Sequence, residues 1–275
     1  MKAKAHLVRV LLIALCGALA GCRPPSPGGS RLLVRGAPTL APAFGALAKE
    51  YARQAPGREA QCDLTCPPCV LLRQQAGTVD FDVVAAVGAD TVKAYEQRGL
   101  VQPGTARQFG SSRLVVVTSA KPPVPIQRVE DLKNPALKPI ALADPSLLDL
   151  GSSAQRALEH LGLWDAVQPR LSLQQTGCAT VKTIALGGAA AGIICDFCLY
   201  EGPGSQGRRR DLRVAATFPE QAAPPIALLA AEMTGSKQSP AAQQFINFLL
   251  TPAAQKIIAE YGITPVGAAS AATSP

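Results

Sequence analysis

Residues 141–165 read ALADPSLLDLGSSAQRALEHLGLWD, and this stretch decides the fold. Ile140–Ala143 is a short apolar run, the length of a buried strand. Asp144-Pro145-Ser146 breaks it, because proline removes a backbone donor and Asp and Ser favour turns. From Ser153 to Leu161 apolar positions recur at helical spacing, predicting a helix that Gly162 ends. Strand, loop and helix in this order form the unit of an α/β sheet.

The unit recurs on both sides of this stretch. Arg31–Val34 predicts a strand and Pro42–Arg53 a helix. Phe81–Ala86 predicts a strand, with Asp80 and Asp82 flanking Phe81 at a turn on the surface. A helix is expected over Thr91–Arg98, stopped by Gly99. Leu114–Thr118 is nearly all apolar, which suits a buried parallel strand. Thr180–Leu186 predicts a helix, and Ala191–Ile194 and Ile226–Ala231 predict strands. Near the end, Ser239 before Pro240 and Thr251 before Pro252 read as helix caps, and Gly262 as a stop. Two such halves imply two lobes and a cleft, with the ligand beyond the carboxyl ends of the strands and at helix N-termini.

The chain opens with Lys2, Lys4 and Arg9, then an apolar run from Leu7 to Leu19, the pattern of a secretory signal. Leu19-Ala20-Gly21-Cys22 resembles a bacterial lipobox, which implies a signal over residues 1–21 and a lipidated Cys22. Residues 23–30, RPPSPGGS, read as a tether to a membrane anchor. No second long apolar segment follows. The formal charge of +8 falls to +5 once the three basic leader residues are set aside, leaving 24 basic against 19 acidic. Aromatic residues make up only 4%, poor material for stacking on bases, and no nucleic-acid motif is present. Arg208-Arg209-Arg210 lies beside Gly and Ser and reads as a solvated loop. There is no Ser/His/Asp set, HExxH motif or phosphate loop.

Several segments, in order, resemble the periplasmic molybdate-binding proteins of ABC importers. Residues 141–165 resemble that family's ADP-S-x-PAG…LGLWD stretch. Asp82–Ala86 stands where the family has its ADVFASA strand. YEQRGLVQP at 95–103, Pro224-Pro225-Ile226, and FINFLLTPAAQKIIAEYGITPV at 245–266 continue the likeness. The resemblance implies an α/β, two-lobed periplasmic-binding-protein fold (type II). Each lobe would be a mixed, mostly parallel sheet flanked by helices, with the ligand cleft between the lobes. Residues 31–113 plus 226–267 would form one lobe and 114–225 the other, with 268–275 a disordered tail. It further implies an extracytoplasmic, monomeric binder of a small inorganic ion that hands its cargo to an ABC permease.

The family grips a tetrahedral oxyanion with hydroxyls and backbone N–H groups. Matched onto this chain, Thr39 keeps a hydroxyl at the first loop. Cys66 and Cys69 replace a Ser-Ser-Gly loop, and Asp149 replaces a proline. Cys178 falls near the Asn-Val turn, and Cys195 replaces a tyrosine with Cys198 close behind. Together with Cys62, six cysteines follow Cys22. The chain after the leader holds a single His, His160, and a single Met, Met233, so a metal here would need sulfur ligands. Thiolates at Cys62, Cys66, Cys69, Cys178, Cys195 and Cys198 would suit Cu(I), Zn, an iron–sulfur cluster or arsenite. Helix N-termini at Cys69 and Cys178 would lower the thiol pKa, and Asp149 would repel a dianion. Two other readings stand beside this one. Exported cysteines can close as disulfides around an ordinary molybdate or tungstate site. Cys66-Pro67-Pro68-Cys69 also resembles a thiol-redox motif, although the order of elements is not that of thioredoxin.

Overall fold

Each lobe is organised by one sheet whose parallel strands run toward a shared cleft. The computed structural model describes residues 31–54, 57–64, 80–120 and 124–267, within one compact unit spanning 31–275. The leader, Cys22, the tether, Cys66, Cys69 and the tail expected over 268–275 lie outside the described residues.

The first sheet holds β1 (Leu32–Gly36), β2 (Ala60–Asp63), β3 (Val83–Val87), β4 (Arg107–Ser112), β10 (Ile226–Glu232) and β11 (Thr264–Pro265), in the order β11-β4-β10-β3-β1-β2. β1 is parallel to β2 and β3, whereas β10 runs antiparallel to both β3 and β4. The second holds β5 (Leu114–Ser119), β6 (Ile140–Ala143), β7 (Leu171–Gln174), β8 (Ala191–Cys195) and β9 (Leu212–Thr217), in the order β7-β6-β8-β5-β9. Here β6 is parallel to β7 and β8. The chain crosses between the sheets at β4–β5 and again at β9–β10, so two segments join the lobes.

The helices are α1 (Ala41–Gln54), α2 (Ala89–Gln97), α3 (Asp149–His160), α4 (Trp164–Val167), α5 (Gly177–Ala185), α6 (Ser239–Phe248) and α7 (Pro252–Glu260). α1 buries Ala43, Phe44, Leu47 and Tyr51 along one stripe. Phe44 meets Phe109 edge-on at 5.5 Å between ring centroids, and Phe245 of α6 meets Tyr51 at 5.1 Å. This aromatic cluster pins α1 and α6 against the first sheet. In the second lobe Arg170 donates to the carbonyls of Leu132, Asn134, Leu137 and Ala166, satisfying a run of loop acceptors with one guanidinium.

Four expectations are corrected. β5 is antiparallel to both its neighbours, β8 and β9. It is buried on both faces, and that burial makes it nearly all apolar whatever its direction. α3 starts at Asp149, four residues before the expected Ser153, because the first turn of this helix faces the cleft and is not amphipathic. Asp82 is buried, where it accepts from the Leu33 N–H at 2.9 Å and the Ser236 hydroxyl at 2.7 Å. It ties β1 to the loop before α6 and does not mark a surface turn. Ser239 is the first residue of α6 and provides no side-chain cap, whereas Thr251 caps α7 by accepting from the Ala254 N–H.

Phe245→Ala should destabilise the fold by about 3–5 kcal/mol, since it leaves a cavity among three rings. Denaturant unfolding monitored by circular dichroism measures this; a loss below about 1 kcal/mol would mean the cluster is not a single packed unit.

Candidate functional site: a cleft between two lobes

The carboxyl ends of β1, β3, β6, β7 and β8 all deliver residues to one cleft. It encloses about 600 Å³ of empty space, its open mouth included. β1 ends at Gly36 and runs into a 3-10 turn, Pro38–Leu40, that starts α1 and carries Thr39. β6 leads to Leu148, Asp149 and Leu150 at the start of α3. β7 leads to Thr176 and Gly177 at the start of α5. β8 ends at Cys195, and the next turn brings Cys198 back to it.

Three helical N-termini therefore converge on the cleft, and the first amides of a helix have no partner inside it. The Thr176 hydroxyl accepts from the Ala179 N–H at 3.0 Å, which fixes the start of α5. Gly177 permits the lobes to meet: a Cβ there would lie 2.9 Å from Cγ2 of Thr39. Among the described lining residues, Asp149 is the only charged one. The wall is otherwise apolar, with hydroxyls, thiols and backbone groups as its polar features.

Asp149 does not point an unpaired charge at this space. Its Oδ2 accepts from the Thr91 N–H at 2.9 Å and its Oδ1 from the Thr91 hydroxyl at 3.0 Å. Both partners belong to α2 in the opposite lobe. Burial raises the carboxyl pKa, and the two bonds from Thr91 oppose that rise. The repulsion expected between Asp149 and a dianion is thus moderated by two donors and the N-terminal end of α2.

The expected thiol set divides. Cys195 is fully buried and touches Cys198, whose sulfur also meets the Thr39 hydroxyl across the cleft. Cys178 is exposed, one residue into α5, and does not line the cleft. Cys62 lies on β2 and does not line it either. Contrary to the expected depression at a helix N-terminus, burial pushes the Cys178 thiol up to about 11 and the Cys62 thiol up to about 12. Cys198 is driven well above the ordinary thiol range by its contact with Cys195 and by burial. Desolvation of a thiolate outweighs the partial charge of a short helix. In the metal-free protein these three groups are thiols at neutral pH, and a metal would have to displace their protons. Among the described residues, no three His, Cys, Asp or Glu side chains are grouped to hold a metal ion.

Sequence reasoning placed the turn at Gly177-Cys178, of which Gly177 lines the cleft, but did not find Gly88, Thr91 or Thr176. Thr176 had a readable signal, a Thr three residues before Ala179 at a helix start. Thr91 had none, because its partner lies 58 residues away.

A cleft between two α/β lobes, lined from strand ends and helix starts, is the arrangement of a solute-binding protein. Residues 32–264 match the bacterial extracellular solute-binding protein family, and the chain belongs to it. It is 27% identical over 182 residues to the molybdate-binding protein ModA of Azotobacter vinelandii, covering 66% of this chain and 70% of that one. The solved Azotobacter vinelandii periplasmic molybdate-binding protein shares the fold, with a TM-score of 0.72 at 22% identity, covering 85% of this chain and 98% of that one. The sulfate-binding protein of Mycobacterium tuberculosis is similar too, with a TM-score of 0.70 at 18% identity over 86% and 88% of the two chains. The expected two-lobed binding-protein fold is the one observed. Its sheets are more evenly mixed than expected, because β5 and β10 run against their neighbours. Among the described residues, no helix is long and apolar enough to cross a membrane.

The raised thiol pKa values set a test. Iodoacetamide should modify Cys178 about 100-fold more slowly at pH 7 than an unperturbed thiol, with the rate climbing about tenfold per pH unit toward pH 11. Peptide mass spectrometry across a pH series reads this out, and a plateau already at pH 8 would contradict it.

Proposed function

We propose that the protein captures a tetrahedral oxyanion of the molybdate or tungstate class in this cleft and delivers it to an ABC permease. The observation that carries this reading is the convergence of three helix N-termini on a small space with no cationic side chain among its described lining residues. Backbone amides and neutral hydroxyl or thiol donors suit a dianion that stays unprotonated at neutral pH, since they give up hydrogen bonds without demanding one back. A phosphate-type ligand carrying a proton would need an acceptor aimed at that proton. The one carboxylate among the described lining residues, Asp149, is already engaged by Thr91. The similarity to molybdate-binding relatives supports the same ligand class.

In this reading the thiols replace oxygen donors. Cys198 offers a weak S–H donor beside Thr39, and its contact with Cys195 and its burial keep it in that form. That argues for a binder and against a thiol-redox catalyst or a sulfur-ligated metal carrier. The lipobox resemblance at residues 19–22 supports a Cys22 lipid anchor that holds a monomer near its permease.

Isothermal titration with molybdate and tungstate tests the reading directly. Each should bind one ion per chain, with sulfate weaker. Thr39→Val should lower affinity by about tenfold, the worth of one hydrogen bond to a charged ligand. Cys198→Ser, which keeps a donor, should stay within about fivefold of the wild-type affinity. Absence of heat with both anions, alongside tight binding of a thiophilic cation, would sink the proposal.

A further inference from the structure

We infer that Asp149 is an interlobe latch: it caps α2 from the opposite lobe and so stabilises the closed cleft. A helix start leaves N–H groups unpaired, and the residue before the helix usually supplies a side-chain acceptor. At α2 that residue is Gly88, which has no side chain. The acceptor comes instead from α3, where both carboxylate oxygens of Asp149 are used, one on the Thr91 amide and one on the Thr91 hydroxyl. The absence of a side chain at Gly88 is what makes room. A Cβ there would lie 1.9 Å from Oδ2 and 2.2 Å from Cβ of Asp149, and Gly88 also has φ +107°, a conformation that favours glycine. A residue able to cap α2 from within its own lobe would thus displace the partner that caps it from outside.

The other interlobe contacts are of a different kind. Arg156 and Asp90 approach to 3.6 Å with both side chains more than half exposed, so screening leaves them weak. Gly204 donates a backbone bond to the Glu260 carbonyl at 2.6 Å, and Thr39 meets Cys198. Asp149 differs from these in placing a charge on the other lobe with two hydrogen bonds in a partly buried setting. It is also the first residue of α3, whose amides face the ligand space, so the latch and the ligand site share one helical turn. The inference needs only the two lobes and does not depend on the ligand being molybdate.

Asp149→Ala, Thr91→Val and the double variant test it in the full chain. Two readouts serve: amide hydrogen exchange at Thr91, and the radius of gyration from small-angle X-ray scattering, each with and without molybdate. In the wild type the Thr91 amide should be protected. Asp149→Ala should speed its exchange about tenfold or more and shift the scattering toward the open form. Thr91→Val should give a smaller shift, and the double variant should add less than about twofold to Asp149→Ala, as expected for partners in one interaction. Equal exchange and equal scattering in wild type and Asp149→Ala under both conditions would overturn the latch, as would an unprotected Thr91 amide in the wild type. If molybdate fails to bind, the ligand-free arms still decide the latch, and only the ligand assignment falls.

Discussion

The constraint on which this molecule depends is the unpaired N–H of a helix's first turn. Parallel strands need crossover helices, and each crossover helix begins where its strand ends. In both lobes those ends face the same cleft, so α1, α3 and α5 all deliver amides to one place. Buried amides without acceptors are costly. The fold therefore creates a space that an anion completes, before any side chain is chosen. Among the described residues that line it there is no competing cation, and the donors there are neutral.

The same constraint governs α2, but the solution differs. α2 follows β3 and also starts at the edge of the cleft. Its amide end is filled by the protein's own carboxylate and not left for a ligand. Asp149 can serve there only because the cap position is glycine. One helix start thus holds the lobes together while three others remain for the cargo. This division accounts for a carboxylate lining a cleft that suits an anion: its charge is committed to a helix end in the opposite lobe.

How much of this was legible in the sequence follows from the range of each interaction. Ile140–Ala143 and the helix after it were readable because apolar periodicity and an Asp-Pro-Ser break are local. β2, β4, β7 and β9 were missed. AQCD and RQFGSS carry polar residues and lack a clean alternation, and LSLQ alternates over only four residues, none of them buried. The direction of β5 was unreadable in principle, because a strand buried on both faces has the same composition in either orientation. Asp149 was picked out as chemically unusual, but its partner was set by docking of two lobes, which no spacing along the chain records. Cys66 and Cys69 fall outside the described residues, and their part in the site is not defined by the observed geometry.

The cysteines show most clearly how competing effects must be weighed and not merely named. A helix N-terminus stabilises a thiolate, and so favours metal chemistry. Burial opposes any charge on sulfur. At Cys178, at the start of α5, partial desolvation of the sulfur and the neighbouring Cys198 push the thiol up to about 11. Cys198, deeper in the cleft, is likewise raised, by its contact with Cys195 and by burial. A protonated thiol is a poor metal ligand and a modest hydrogen-bond donor. In place of a hydroxyl it is larger, softer and less demanding of an acceptor. Set beside Thr39, it alters the shape and polarisability of the cleft without changing its charge, so that exchanging a hydroxyl for a thiol retunes the space for one solute over another of the same charge.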